Sequence, residues 1–539
     1  MKKLIKILLI FVFLSNNAFS QRFAIEFQQC YGGSGNEGGR EMIQLSDSSY
    51  IILAGTDSED GDISFSHGDG DIWLVKTDWY GNLLWEKTIG GSDNDSRLNF
   101  YITPEGNYII SCGTFSNDGD ISGNHGGLDY WVAKTDSLGN IIWQRCLGSS
   151  VNDYPSQMRV DNMGNIYVIG ESHGDDGDIT DPHGFVDFWI VKLNTDGELL
   201  WDRSLGGTIT DGGQCISPTL DGGYIVGGAT DSPDGDVECE NTSITQFDMW
   251  IVKLDSLNNI QWQQCYGGSE FDNAHDIKIT DDGGYIIAGI TKSNDGNVSG
   301  FHGVAGENKD IWIIKIDSLG TIEWQRCLGG TEDEGSPEIT IMEDRSYLIN
   351  GYTASNNGDV SGNHSYPGYF SDGWLVKLSN DGELLWQQCF GSLMSEGLGD
   401  VNIISNTEMM LVTGTSHPSG SVECDLFHPA PPEDPDLWMF KIVDTVSVQL
   451  PENKMDYFNI NVFPNPANTW TAFEYHLPYN NGDVYILIYN TQGHMVHTLH
   501  LSGLEGQAVW DVRDVKPGVY HYVLKSAGGT KSGNLIILN

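Results

Sequence analysis

Basic residues are scarce in this 539-residue chain. Lys and Arg number 27 against 75 Asp and Glu, a formal net charge of −48. A field of that sign repels phosphate backbones, so nucleic acid is excluded as a partner, while solubility and cations are favoured. Long apolar runs are lacking too. Leu4 to Leu14 is the main one, too short and too poorly flanked to span a bilayer. It follows Lys2, Lys3 and Lys6 and precedes the small-x-small segment Ala18-Phe19-Ser20. That is the pattern of a secretory signal peptide over residues 1–20, cut before Gln21. No other stretch is long enough to cross, so the expectation is an exported chain without a transmembrane segment. Helical periodicity is missing over any three turns. Disorder is excluded, since there are 16 Trp and many β-branched residues in patterned segments.

What is present is repetition. The phrase Asp71-Ile72-Trp73-Leu74-Val75-Lys76 returns at Trp131, Trp189, Trp250, Trp312, Trp374 and Trp438, at spacings of 58, 58, 61, 62, 62 and 64 residues. One unit reads as four short strands. His275 to Thr280 is followed by an Asp282-Gly283-Gly284 turn, and Tyr285 to Gly289 by a long polar loop. Asp310 to Ile316 then turns through Asp317 to Gly320 into Ile322-Glu323-Trp324. Four strands per repeat, seven times, predict a seven-bladed β-propeller. A fourth-strand phrase also occurs seven times, at Phe27, Trp85, Trp143, Trp201, Trp262, Trp324 and Trp386. Its first copy precedes every other strand and no copy follows Trp438. The N-terminal strand is therefore expected to complete the last blade and close the ring, an open β-solenoid being the alternative. The propeller is assigned to residues 21–442. In such a ring the Gly-Gly-Ser connections and the long loops share one face.

After a linker over 443–457 the pattern changes. Residues 458–539 alternate short strands with Gly, Pro and Asn turns, as in a small β-sandwich. The block contains Asn461 to Pro466, with Pro464, Asn465 and Pro466. Tyr489 to Gly493 follows, then Pro517-Gly518-Val519-Tyr520, and last the apolar Leu535 to Leu538. In this order these segments resemble the C-terminal sorting domain of type IX secretion substrates of the Bacteroidota. Asn534 stands where members often carry Lys. The resemblance implies transfer through the type IX translocon, removal of the tail near the linker, and release or attachment at the cell surface. The repeats are also similar to those of cargo proteins from the same bacteria.

Residues repeated in every unit are expected to build the fold, and breaks in repetition to carry function. Loops holding Asp60 and Asp62, Asp118 and Asp120, and Asp176 and Asp178, each with a following His, have closely spaced oxygens that suit Ca²⁺. The competing reading is a set of Asx-turns with locally packed histidines. Gly-Gly-Ser segments at Ser34, Ser92 and Ser269 read as turns, because the strand-to-helix context of a nucleophile or phosphate loop is missing. Acidic groups such as Glu332, Asp333 and Glu334 carry no pairing signature of a glycosidase. Cys30, Cys146, Cys265, Cys327 and Cys389 share one repeat position. They are read as small buried apolar residues, and a Cys239–Cys424 bridge is left open. The sixth repeat inserts Tyr366, Tyr369 and Phe370, aromatics suited to stacking on sugar rings. The resulting expectation is a secreted or surface-displayed binder of glycan or protein with no catalytic residues. A polysaccharide-degrading enzyme and a structural surface component are the alternatives. An enzyme should gather an asymmetric cluster of charges at the channel mouth.

Overall fold

The computed structural model describes residues 22–239, 246–366, 368–415, 435–445, 459–476, 484–490, 495–501, 505–513, 515–526 and 529–538. The expected signal segment, the linker residues 446–457, residue 458, Cys424 and Gly493 lie outside them. Among the described residues every regular element is a strand, and no helix is long and apolar enough to cross a membrane. The chain divides into two compact units, Met1–Val446 and Ser447–Asn539.

In the first unit the repeat becomes a four-stranded antiparallel sheet. β1 (Phe23–Tyr31) precedes the first complete set, β2 (Glu37–Gln44), β3 (Tyr50–Thr56), β4 (Asp71–Thr77) and β5 (Leu83–Ile89), which pair in that order. Five further sheets repeat this order, and the seventh is assembled from Asp400–Ser405, Glu408–Thr415, Asp436–Asp444 and β1. The Asp-x-Trp phrase lies on the third strand, where its indole is at most 1 % exposed in all seven sheets. A buried indole N–H needs an acceptor. Each finds one on the fourth strand: Trp73 Nε1 donates to Glu86 at 3.0 Å, Trp131 to Gln144 at 2.9 Å and Trp374 to Gln387 at 2.8 Å. Trp438 donates to Gln28 of β1 at 2.9 Å, so the N-terminal strand supplies the seventh acceptor.

Apolar clusters lie between successive sheets rather than within them. Met42, Ile52 and Trp73 of the first sheet pack with Met410, Val412 and Leu437 of the seventh. Leu348, Leu375 and Trp386 of the sixth pack with Leu411, Trp438 and Phe440 of the seventh. The seventh sheet thus shares a core with both the sixth and the first. The fourth-strand tryptophans are mostly half-buried and cover the next sheet's tight turn. A Cβ at Gly197 would lie 2.6 Å from the Trp143 ring.

The second unit has a three-stranded sheet (Asn459–Phe463, Trp470–His476, Glu505–Asp511) and a four-stranded one containing Gly518–Ser526 and Gly529–Ile537. Phe473, Tyr475, Ile486, Trp510, Tyr522 and Leu535 form one shared core. The motif residues clamp the last strand, with Asn465 Oδ1 accepting Ile536 N at 2.9 Å and Ala467 N donating to Ile536 O at 2.8 Å.

Two cysteine expectations are corrected. Cys265 is bonded to Cys239, with Cα atoms 5.6 Å apart, and Cys30 is also disulfide-bonded. The long loop of the fourth sheet folds back over that sheet's own fourth strand, so the two residues meet inside one repeat. The separation between repeats, on which the first reading rested, does not arise. Cys146, Cys327 and Cys389 are buried free thiols.

Candidate functional site

The first strand of each of the first six sheets carries a β-bulge, a device that re-aims side chains. The register slips between Gly39 and Glu41, between Pro155 and Gln157, and between Ala274 and Asp276, among others. The bulged residues Arg40, Ser156 and His275 differ from sheet to sheet, and so do their successors. At that next position the chain reads Glu41, Asn99, Gln157, Cys215, Asp276, Glu338 and Asp400. First strands from all seven sheets line one cavity of about 320 Å³ around these residues. A second cavity of about 550 Å³, bordered by loop residues Asn36, Asp57 and Asn94, shares Arg40, Ser156 and Gln214 with it.

Four of the seven positions bind the neighbouring sheet's backbone. Asn99 Oδ1 accepts Met158 N at 3.1 Å, Gln157 Oε1 accepts Ile216 N at 2.8 Å, and Asp276 Oδ2 accepts Ile339 N at 3.0 Å. Asp400 Oδ2 accepts Met42 N at 2.9 Å, joining the seventh sheet to the first. Asp276 is also the charge node of the cavity. Lys278 Nζ lies 3.0 Å from Oδ2, while Gln157 Nε2 and Arg159 Nη2 reach Oδ1 at 3.1 and 3.3 Å. Burial opposes ionisation there, but Lys278, Arg159 and the Ile339 N–H outweigh it and hold the carboxyl below the ordinary range.

Glu41 and Glu338 break the pattern. Neither accepts a neighbour's backbone N–H among the described residues, and Glu338 has only Arg40 Nη2 at 3.5 Å. Enclosure, with Asp400 and Glu338 nearby, pushes Glu41 up to about 8. Enclosure and the acids Asp400 and Asp276 take Glu338 to about 7 against the pull of Arg40. Burial, then Lys309 and Arg40, lowers His275 to about 4, so its ring is neutral, and Nε2 has no partner. The cavity therefore offers two carboxyls with raised pKa values, Glu41 and Glu338, the cations Arg40, Arg159 and Lys278, and amides. These are donors and acceptors for hydroxyl groups. A catalytic pair needs one carboxyl held ionised beside one held protonated. The ionised one, Asp276, is fully engaged by its four donors.

The loop aspartates brace the Gly-Gly-Ser connections. Asp60 Oδ1 accepts Ser34 N at 2.7 Å, and Asp62 accepts Gly32 N at 3.1 Å. Asp118 accepts Ser92 N at 2.7 Å, Asp176 accepts Ser150 N at 2.8 Å, and Asp178 accepts Gly148 N at 3.3 Å. Asp120 Oδ2 lies 3.1 Å from Nε2 of His67, one sheet back. No group of three or more His, Cys, Asp or Glu suited to a metal occurs among the described residues. Tyr366 and Tyr369 are 73 % and 82 % exposed at a turn where Tyr369 N donates to Tyr366 O, and Phe370 is half-buried.

Sequence reading sought asymmetry in loop insertions and missed the cavity residues. His275 to Thr280 registers in the sequence only as a strand. The usable signal was the polar position recurring at spacings of 58 to 62 residues with a different identity each time, against a conserved-looking apolar background in the same chain.

Comparison with known proteins identifies residues 461–538 as a secretion system C-terminal sorting domain. That tail marks a secreted protein, extracellular or held at the cell surface. The chain is 26 % identical over 172 residues to the regulatory protein FlaEY of Caulobacter vibrioides, a match covering 29 % of this chain and 18 % of that protein. The chain thus spans under a fifth of the curated relative it matches. Among solved structures, a Dyadobacter fermentans protein of unknown function aligns with a TM-score of 0.41 at 6 % identity, covering 79 % of this chain and all of the other. The Neurospora crassa Pan2 WD40 domain gives 0.36 at 9 % identity, covering 68 % and 91 %. A thermostable family-43 glycoside hydrolase gives 0.29 at 12 %, covering 57 % and 98 %.

Proposed function

We propose that the chain leaves the cell by type IX secretion and acts outside it as a closed seven-bladed β-propeller that binds a glycan without cleaving it. The carrying observation is the pair of carboxyl groups, Glu41 and Glu338, in a polar cavity ringed by seven strands. Among the described residues they accept no backbone N–H from a neighbouring sheet, Glu338 reaching only the Arg40 guanidinium at 3.5 Å. Four equivalent side chains hold the ring together, so these two are surplus to the scaffold. A protonated carboxyl, guanidinium groups and amides match the hydroxyls of a sugar, and a few convergent polar groups in a concave site set orientation. The exposed Tyr366 and Tyr369 supply a second, stacking contact on a loop. A symmetric, purely structural ring gives no reason for Glu at two positions where Asn, Gln or Asp would bridge.

The test is a glycan array probed with the intact secreted protein, followed by a reducing-end assay on each hit. Binding without new reducing ends is expected. No binding to any glycan would end the proposal. A second reading, polysaccharide hydrolysis, is favoured by Glu41, whose raised pKa makes it a proton donor at neutral pH. New reducing ends that vanish in Glu41→Gln would establish it instead.

A further inference from the structure

The Gly-Gly-Ser connections open on Gly32, Gly90, Gly148, Gly206, Gly267, Gly329 and Gly391, none of which has a positive φ. Space, not backbone conformation, demands glycine there. A Cβ on Gly206 would lie 2.4 Å from Asp187 Oδ1 and 2.6 Å from Asp211 Oδ2. On Gly267 it would meet Asp248 Oδ1 at 2.6 Å and Asp272 Oδ2 at 2.5 Å. On Gly329 it would meet Asp310 Oδ1 at 2.9 Å and Glu334 Oε2 at 2.3 Å. The same holds at all seven. One carboxyl comes from the Asp-x-Trp strand of a sheet and the other from the first strand of the next. At Gly206 both oxygens lie within 2.6 Å of one point, hence within about 5 Å of each other.

The first-strand carboxyl draws donors from the glycine loop and from hydroxyls, although Oδ1 of Asp95 and of Asp272 is itself without a partner. Asp211 accepts Gly207 N at 2.7 Å, Ser232 Oγ at 2.8 Å and the Thr230 hydroxyl. Where a loop histidine faces it, the Asp-x-Trp carboxyl takes its donors on Oδ2 alone. His125 N and Nδ1 reach Asp129 Oδ2 at 2.6 and 2.9 Å, His302 Nδ1 reaches Asp310 Oδ2 at 2.7 Å and His364 Nδ1 reaches Asp372 Oδ2 at 2.6 Å. Oδ1 of Asp71, Asp129, Asp187, Asp310 and Asp372 is buried without a partner, on residues at most 3 % exposed. No Lys or Arg forms an ion pair with either carboxyl of these pairs among the described residues. Two buried carboxylates this close, with one oxygen orphaned, require a positive charge between them.

We propose that these seams hold a proton. Where Oδ1 of the Asp-x-Trp aspartate is orphaned, at Asp71, Asp129, Asp187, Asp310 and Asp372, it is protonated and donates toward the carboxylate across the glycine, so that acid–carboxylate clasps join the blades. The protons belong to the pairs and titrate with them. Burial raises Asp95, Asp211 and Asp272 to about 6 and Asp248, Glu334 and Glu396 to about 7, consistent with the geometry. Around Asp187 the facing titratable groups are Asp211, His183 with Nδ1 at 3.9 Å, and Asp236, itself 3.4 Å from Arg203. Folded pKa values above the unfolded ones mean that the folded chain binds more protons. The clasps are intact below the unfolded carboxylate range and weaken as pH rises through about 6 to 7.

The experiment is thermal unfolding of the full chain from pH 5 to pH 8.5, in chelator and again in Ca²⁺, for the natural protein and for Asp187→Asn. An amide replaces the O–H with an N–H that needs no proton. The natural protein should lose about 5 °C or more of Tm across this range. The variant should show a shallower decline and be at least as stable at pH 8. A Tm that is flat or rises with pH would overturn the proposal. So would a Ca²⁺-dependent rise in Tm that the variant abolishes, because the seam would then hold a metal ion. Proton release on urea unfolding of the natural protein at pH 6 checks the claim even if a variant fails to fold; absence of release refutes it.

Discussion

Replacing Asp276 by Ala removes the acceptor for four donors at once. Breaking a buried charge cluster by deleting one partner costs about 3–5 kcal/mol. Asp276 is 1 % exposed, but the side chains of Arg159 and Lys278 are 31 % and 29 % exposed and regain some hydration, which favours the lower end. The Ile339 N–H is left unpaired against a first strand, adding roughly 1 kcal/mol or more. A loss of about 4 kcal/mol, set against an unfolding entropy of roughly 0.9 kcal/mol/K for a unit of some 420 residues, lowers Tm by about 4 °C. Asp276→Asn keeps an oxygen for Ile339 N and should fall by about half as much. The sign of the pH dependence follows from the depressed carboxyl. Its contribution is present above the unfolded value and fades as pH falls through the folded one, so the gap between natural and variant proteins narrows in acid. Calorimetric melts at pH 7 and pH 3 measure both. A variant within 1 °C of the natural protein at pH 7, or a gap that widens in acid, would refute the reasoning.

Further outcomes follow from the same contacts. Gly206→Ala should cost about 1–3 kcal/mol through the clash with Asp187 and Asp211, whereas Gly283→Ala, at φ +82 in open space, should cost about 1 kcal/mol; paired urea titrations compare them. In the tight turns burial, the largest single effect, raises Asp221, Asp282 and Asp344, but hydroxyl, lysine and backbone donors together outweigh it and hold them at about 2. Stability should therefore also fall below about pH 4, and melts against pH should show a maximum in mild acid. Double replacement Tyr366→Ala with Tyr369→Ala should leave Tm within about 1 °C, since both rings are largely exposed, while weakening any glycan that stacks on them.

The scaffold was legible because its determinants repeat. A period near 60 residues, a buried tryptophan and a fourth-strand acceptor in every unit give strand order, and Gln28 accepting from Trp438 follows from counting the units. The tail was legible because Asn465 and the segment around it contact the last strand directly. The cavity was hidden for a physical reason. Glu41, Asp276 and Glu338 sit next to bulges, and a bulge breaks the two-residue alternation by which a strand announces which face a residue takes. The seam carboxyls were hidden differently. Asp187 and Asp211 are far enough apart in sequence that only the packing of adjacent sheets makes them neighbours, and the glycine between them looks like an ordinary turn residue. The disulfide was readable in part. Val-Glu-Cys marks Cys239 as unusual, but its partner is the fourth-strand Cys265 of the same repeat, not the other Val-Glu-Cys.

Titration calorimetry of the secreted protein with an array-selected glycan, comparing the natural chain with Glu41→Ala and Glu338→Ala, tests the central claim most directly. Loss of a ligand hydrogen bond to a carboxyl weakens Kd by roughly tenfold, and that weakening is expected with folding unchanged by circular dichroism. Unchanged Kd in both variants, with the glycan still bound, would contradict the account and move the binding site out of the seven-strand cavity.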